Sequence, residues 1–430
     1  MISDIKKIAR NIIPEGAVNF YHLCQAVMAN IWYGFPAKKI TIIGVTGTNG
    51  KTTTSYMISK ILDESGNKNA MATTIYFKIG NKQWRNNSKM TTLDPFVLQK
   101  FLRDAVNENC QYAIVETTSH AISQHRIWGL QYDTLVFTNI THDHLDYHKT
   151  FKNYLKTKIK LFADNKEAKA VLNADSEYIS QFKKASHGQV VTYSMAGKGT
   201  INAKKIKHYD DCSTFAIAWL GNEIEAKIKL LGDFNIANSL AAFAVGMYYN
   251  ISPKTITLSL GKIAGIAGRL ENADFGQDYK IYIDFAHTPD GLKQVFETVR
   301  PLAKGKLIHI GGATGDRDRT KRPILGALSG QYADISIVTD KDCGSEDPKE
   351  IIKEVATGVT RGANAKNPKV LGENYFLITD RTEAIRFGLS LAKKGDIVLV
   401  TGKGHEQVMK VGDKLIPYSD QKVVKEYFVK

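Results

Sequence analysis

An apolar run, Thr41-Ile42-Ile43-Gly44-Val45, leads directly into Thr46-Gly47-Thr48-Asn49-Gly50-Lys51-Thr52-Thr53 and then into a helix-compatible stretch through Ile61. A strand that stops at a glycine turn and restarts as a helix is a βα unit. Such units build mostly parallel sheets covered on both faces. The turn is close to the spacing G-x-x-x-x-G-K-[ST] without matching it, because Val45 stands where the first glycine belongs. Glycines let backbone N–H groups converge on phosphate oxygens, and the start of a helix adds partial positive charge. Lys51 is placed to neutralise β- and γ-phosphates, and Thr52 to offer its hydroxyl to Mg²⁺. ATP binding by Gly47, Thr48, Asn49, Gly50, Lys51, Thr52 and Thr53 is the first functional expectation. Kinase, GTPase, transporter ATPase and ligase all remain open at this point.

Similar apolar runs recur at 112–119, 132–139, 169–174 and 189–195, and alternation over 214–231 predicts a strand pair near the end of this domain. The stretch 268–292 marks a second start, with strand candidates at 305–313, 333–340, 373–380 and 395–402. A boundary near Gly261–Gly268 then separates two α/β domains. The expected plan is a short helical lead-in over 1–38, a central P-loop ATPase-like domain over 39–265, and a smaller Rossmann-like domain over 266–430. In the lead-in, Pro14-Glu15-Gly16 reads as a turn and Tyr21–Trp32 as a helix.

Composition narrows the class. At 430 residues the chain is too long for one ordinary core, and 43% hydrophobic with 23% charged residues excludes collagen-like or extended disordered chains. Cys24, Cys110, Cys212 and Cys343 are widely separated, so neither a metal-ligand spacing nor a disulfide framework is expected, and a cytoplasmic location follows. A net charge of +15 favours anionic partners. It is scattered, with no zinc-finger spacing or RNA-binding aromatic motif, which points to small anionic substrates and away from nucleic acid. The opening MISDIKKIARNII is too polar for a signal peptide, and no run approaches the ~20 apolar residues of a membrane span. A monomer without membrane insertion is expected.

Two strand ends deliver the next groups. Glu116 closes the run YAIVE, where α/β sheets present ligand-binding residues. The run TLVFTN leads to Asn139-Ile140-Thr141-His142-Asp143-His144, so Glu116 and His144 are expected in one crevice beside the glycine turn. A glutamate beside ATP suits Mg²⁺, a hard cation that takes oxygen ligands.

The combination resembles the Mur ligase family of ATP-dependent amino-acid ligases, in the branch that adds the third residue of the peptidoglycan stem peptide. The matching stretches are GVTGTNGKTTT (44–54), TTLDP (91–95), VETTSHAISQHR (115–126), FTNITHDHLDYH (137–148), LGDFNIANSLAA (231–242), IAGRLE (266–271), DFAHTPDGL (284–292), GDRDRTKRP (315–323) and TGKGHEQ (401–407). The resemblance implies an amide ligation through an acyl phosphate, adding a diamino acid to the D-glutamyl carboxylate of UDP-MurNAc-L-Ala-D-Glu. It implies ATP and two Mg²⁺ sites, with Lys51, Glu116, His144 and Lys158 catalytic and Thr52, Glu116, His144 and Lys158 near metal. Lys158 is the implied carbamylated lysine, N6-carboxylysine. Asn235, His287 and Asp290 are assigned to ATP, and Thr91, Thr92, Ser119, Gln124 and Arg126 to the UDP-peptide. Arg317, Asp342, Gly344, Gly402 and Glu406 are assigned to the incoming amino acid, in the C-terminal domain. A folylpolyglutamate-synthetase-like ligase, or another small-molecule amino-acid ligase of the superfamily, is the alternative.

The chain departs from this pattern twice. Only 43 residues precede Gly44, where the family carries a separate UDP-gripping domain, so that domain is expected to be absent. The family's Asp-Asn-Pro-Arg, whose arginine holds the distal carboxylate of diaminopimelate, is here Lys341-Asp342-Cys343-Gly344. Losing that guanidinium favours a lysine-like diamine, with Lys341 as the neighbouring cation able to replace the charge.

Overall fold

The computed structural model describes residues 15–88, 90–363 and 368–429. Two compact units emerge. The first runs to Thr141 and resumes over His148–Ala264, whereas the second joins His142–Tyr147 to Gly265–Lys430.

The first unit is built on an eleven-stranded sheet. In chain order its strands are β1 (Thr41–Thr46), β2 (Asn69–Ala72), β3 (Tyr76–Ile79), β4 (Lys82–Arg85), β5 (Tyr112–Glu116), β6 (Tyr132–Phe137), β7 (Lys169–Asn173), β8 (Val190–Ser194), β9 (Ile201–His208), β10 (Ser213–Trp219) and β11 (Asn222–Ile228). Their order across the sheet is β11-β10-β9-β8-β7-β6-β1-β5-β2-β3-β4. Pairing is parallel from β2 through β9 across the middle and antiparallel at both flanks. The sheet is thus parallel through its middle, as expected, and the antiparallel pairs at its flanks make it a mixed one. The strand pair foreseen at 214–231 is β10–β11, but β2–β4 escape sequence reading. Four-residue strands show too little periodicity, and β4 is exposed at every position.

Burial follows the pattern. Ile42, Ile43 and Val45 of the central β1 are fully buried, as a strand covered on both faces requires. The helix Pro95–Asn107 turns Leu98, Phe101, Leu102 and Ala105 inward at the i, i+3, i+4, i+7 spacing, each large side chain worth about 1.5–3 kcal/mol. The helix Asp233–Tyr248 is buried almost all round and packs on Lys51–Glu64. The lead-in is helical over Glu15–Tyr33, packs on Pro95–Asn107, and is tied there by Arg103 Nε donating to Tyr33 O at 2.9 Å. This corrects the expected turn, since Glu15 and Gly16 lie in the helix. Pro14 and the rest of 1–14 lie outside the described residues.

The second unit has a six-stranded sheet of β12 (Glu271–Asn272), β13 (Lys280–Asp284), β14 (Leu307–Gly311), β15 (Ile335–Val338), β16 (Tyr375–Leu377) and β17 (Ile397–Thr401), in the order β12-β13-β17-β14-β15-β16. Only the short β12 runs antiparallel. A hairpin, β18 (Val408–Val411) with β19 (Lys414–Pro417), follows. Beneath β17, Arg381 and Asp420 form a fully buried two-bond ion pair at 2.8 Å each, and Arg381 Nη2 also donates to Thr401 O at 2.8 Å. Among the described residues no helix is long and apolar enough to cross a membrane.

Candidate functional sites

In the first unit the chain leaves β1 at Thr46 and re-enters helix at Lys51, with Gly50 at the N-cap position. Gly50 holds φ +82°, a left-handed conformation that favours glycine, and a Cβ there would come within 2.4 Å of Asn238 Oδ1. The end of β6 pins the turn. Asn49 N–H donates to Asn139 Oδ1 at 2.8 Å, and Thr138 Oγ1 donates to Asn49 O at 2.6 Å. Thr48 Oγ1 lies 2.9 Å from Tyr154 OH and accepts from Thr141 N at 3.0 Å. Two ammonium groups sit on the carbonyl side of the turn. Lys51 Nζ donates to Gly47 O at 3.0 Å and Thr48 O at 2.8 Å, and the buried Lys158 Nζ donates to Gly47 O at 2.9 Å. No side chain caps the helix. A helix start beside two cations is a receptor for an anion.

Glu116 closes β5 with no exposed surface. Its carboxylate accepts from Thr74 Oγ1 at 2.9 Å and Thr74 N at 3.2 Å. Burial pushes its pKa up, opposed by the nearby Lys51 charge and by hydrogen bonds from Thr52 and Thr74. Lys51, Thr52 and Glu116 therefore form one cluster, with Lys158 joined to it through Gly47. Thr52 and Glu116 are hard oxygen donors, and a buried carboxylate facing a hydroxyl suits magnesium. Thr53 is buried in the same helical turn.

The neighbouring threonines and arginine also converge. Thr91 Oγ1 lies 3.0 Å from Thr74 Oγ1, and Thr92 Oγ1 donates to Glu116 O at 2.8 Å. Arg126 Nη1 donates to Thr92 O at 2.5 Å, and Ser119 Oγ lies 2.9 Å from His148 Nε2. Gln124 ends the short helix Ser119–Ser123, its N–H bonding to His120 O. Asn235 is buried and bonds within its own helix start, Nδ2 donating to Leu231 O at 2.8 Å and Oδ1 accepting from Asn238 Nδ2 at 3.2 Å.

His144 lies in the stretch His142–Tyr147, which belongs to the second unit. There its Nε2 lies 3.3 Å from Asp143 Oδ2, and Lys321 Nζ lies 3.6 Å from Asp143 Oδ1. His287 Nδ1 donates to Phe285 O at 3.0 Å, and burial first, then the Lys341 charge, push its pKa down. Asp290, in the first turn of Pro289–Val299, accepts from Gln294 Nε2 at 3.1 Å.

Past the ends of β15 and β17 a second cluster forms. Lys403 Nζ bridges Asp342 Oδ1 at 3.1 Å and Glu406 Oε2 at 2.8 Å. Gly402, at φ +105°, lies beside the Lys341 stem, where an added Cβ would be 3.1 Å from Cδ. Gly344 bonds to the first hairpin strand, its N–H donating to Lys410 O at 3.3 Å. Gly344 holds φ +60°, a left-handed conformation that favours glycine, and a Cβ there would lie 2.2 Å from the tip of the Asp316 side chain. Arg317 instead pairs with Asp146, Nη1 to Oδ2 at 3.2 Å.

Residues 45–246 match the Mur ligase middle domain, and residues 268–404 match the family described as Mur ligase, glutamate ligase domain. A UDP-N-acetylmuramoyl-L-alanyl-D-glutamate--2,6-diaminopimelate ligase of Caldanaerobacter subterraneus is 37% identical over 94% of this chain and 81% of its own length. The chain belongs to the Mur ligase family. The enzyme of the same description from Bacillus cereus is 38% identical over 93% of this chain and 80% of its own length. A solved diaminopimelate ligase structure superposes at TM-score 0.62 and 29% identity, covering 91% of this chain and 78% of that one. The Mycobacterium tuberculosis folylpolyglutamate synthase superposes at TM-score 0.73 over 95% of each chain, at 14% identity, a likeness of fold alone.

In this Mur ligase, sequence reasoning missed Thr74, Asn139 and Lys403 as partners of the named residues. Asn139 closes the FTN stretch and Lys403 sits inside KGHE, so both lay in motifs already singled out. Thr74 carries no such signal, because it reaches Glu116 only once β2 pairs with β5.

Proposed function

We propose that this chain is an ATP-dependent acid–amino-acid ligase that joins a diamino acid to the D-glutamyl carboxylate of UDP-MurNAc-L-Ala-D-Glu, in peptidoglycan synthesis in the cytoplasm. The observation that carries this reading is the buried Glu116 facing Lys51 and Thr52 at the helix start, in a chain 37% identical to a diaminopimelate ligase. The central unit acts as a P-loop domain and the second, Rossmann-like, takes the amino acid. Lys51 and the turn's N–H groups hold the ATP phosphates, leaving γ-phosphorus open to the attacking carboxylate. ADP departs, and the incoming amine displaces phosphate from the acyl phosphate to form the amide.

Thr52 and Glu116 would hold magnesium, which supplies charge neutralisation between phosphate and carboxylate oxygens. Lys158 as an ammonium would repel a cation; carbamylation of its Nζ makes it a carboxylate beside Gly47, suited to support the metal. His144, His287, Asp290 and Asn235 complete the nucleotide side in this reading. Thr91, Thr92, Ser119, Gln124 and Arg126 hold the UDP-peptide, and Arg317, Asp342, Gly344, Gly402 and Glu406 surround the amino acid.

The test is ADP release by purified protein with UDP-MurNAc-L-Ala-D-Glu or a folate acceptor, each with diaminopimelate, lysine, ornithine or glutamate. Release with the muramoyl dipeptide and a diamino acid is expected. Release with the folate acceptor alone overturns the reading. Full activity in Lys158→Ala would remove the carbamate.

A further inference from the structure

The helix Glu15–Tyr33 has one face buried and an apolar face left in water. On the buried side, where it packs on Pro95–Asn107, Ala26, Ala29 and Asn30 have no exposed surface. Asn30 Nδ2 ties that side to Trp128 O at 2.9 Å. At about 100° per residue, Phe20, Tyr21, Cys24, Met28, Ile31 and Trp32 fall opposite, within an arc of about 120°. Of these, Phe20, Tyr21, Met28, Ile31 and Trp32 are 52–77% exposed. An amphipathic surface helix turns charged residues to water, whereas one that is apolar on both sides is covered on both. Here no Asp, Glu, Lys or Arg lies between Glu15 and Lys38.

Area and charge select what covers this face. Large aromatic side chains bury about 150–250 Å² each, so the exposed fractions leave on the order of 600 Å² of apolar surface on one helix. That is the upper end for a monomer's largest patch, and two such faces together reach about 1,200 Å², the area at which specific interfaces begin. The chain carries a net charge of +15, so two copies repel one another over most of their surface. Along this helix they can meet without opposing like charges or burying an unpaired one. A helix that lies on a lipid surface carries a polar face rich in Lys and Arg, which this one lacks.

We propose that the exposed face of Glu15–Tyr33 is the contact through which two copies of this chain form a twofold dimer, their helices antiparallel. The twofold axis then passes near the middle of the stripe, so Phe20 and Tyr21 of each copy meet Ile31 and Trp32 of the other, around Cys24 and Met28. The proposal reverses the monomer expected from the sequence and does not depend on the reaction catalysed.

Sedimentation of the full chain over micromolar concentrations tests it, with Trp32→Lys as the disrupting variant and Leu220→Lys as the control. Leu220, in the turn between β10 and β11, is 86% exposed and lies outside the stripe. Wild type should sediment as a dimer. Trp32→Lys should raise the dissociation constant by about thirtyfold or more, and Leu220→Lys should leave it within about twofold. Circular dichroism and cooperative unfolding of Trp32→Lys should show the fold intact, since that side chain is exposed in the single chain. A second arm needs no disruptive change. Cys24 is the one cysteine of four that is not buried, so bismaleimidoethane should give a covalent dimer from wild type and none from Cys24→Ser. A wild-type chain that stays monomeric throughout overturns the proposal, and its flotation with phosphatidylglycerol vesicles would assign the face to lipid instead. A dimer that Trp32→Lys leaves intact, or that Cys24 does not cross-link, puts the contact elsewhere and overturns it equally.

Discussion

The turn at Gly47–Lys51 and the cluster around Lys403 both gather charge at strand ends, yet by different means. At the turn, backbone does most of the work. Gly50 takes a positive φ, Asn139 and Thr138 clamp Asn49, and the two lysines rest on loop carbonyls. Around Lys403, side chains answer side chains: its ammonium bridges both Asp342 and Glu406, so that among the described residues the Lys341 ammonium makes no hydrogen bond or ion pair of its own. A receptor made of backbone tolerates little change and suits the phosphate common to many reactions. One made of side-chain charges can be retuned by single substitutions, which suits the group that varies between amino acids.

That contrast can be broken at several points. The largest effect is expected beneath the second cluster, where Asp420→Asn leaves Arg381 buried without its counter-charge. Denaturant unfolding should show a loss of about 3–5 kcal/mol. A loss below 1 kcal/mol would mean that ion pairs do not brace this region. Next is Lys51→Met, for which ADP release should fall by about 10²–10³-fold with unfolding unchanged. A rate within tenfold of wild type would remove Lys51 from the reaction.

The third prediction concerns pH. Lys341 has a folded pKa lowered to about 8 against an ordinary lysine value of 10.5. Between those values the unfolded chain holds the proton and the folded chain does not, so stability must rise with pH across that window. The rise is about 3 kcal/mol from this group. Phe285, His287, Lys321, Lys403, Glu406 and Asp342 surround it, and the positive members among them work in the same direction as burial. Comparing wild type with Lys341→Met from pH 7 to 10.5 isolates the contribution; parallel curves would contradict it. Smallest is Gly50→Ala, which forces a side chain into a positive φ and against Asn238. It should cost about 1–3 kcal/mol of stability and weaken nucleotide binding, read by calorimetry with ATP. Unchanged nucleotide affinity would show that backbone geometry at the turn is dispensable.

Much of the scaffold was legible beforehand because it rests on local patterns. The apolar runs at 112–119, 132–139, 305–313 and 395–402 became β5, β6, β14 and β17. The short β2–β4 and the hairpin β18–β19 were not, because strands of four residues carry too few alternations to stand out. Lys51, Thr52 and Glu116 could be named from a turn and a strand end, and the fold brings them together. His144 could be named but not placed, since the stretch 142–147 joins the second unit and not the sheet it follows in the chain.

By itself, the sequence determined the two α/β units, the glycine turn and the family, all of which depend on neighbours along the chain. Tertiary structure decided which charges meet. Whether Lys341 is paired, and whether Gly344 has room for a side chain, depends on Lys403, Glu406 and Asp316 arriving from elsewhere in the chain. Electrostatic balance in a buried site is set by distances in space, and those are invisible to spacing in sequence.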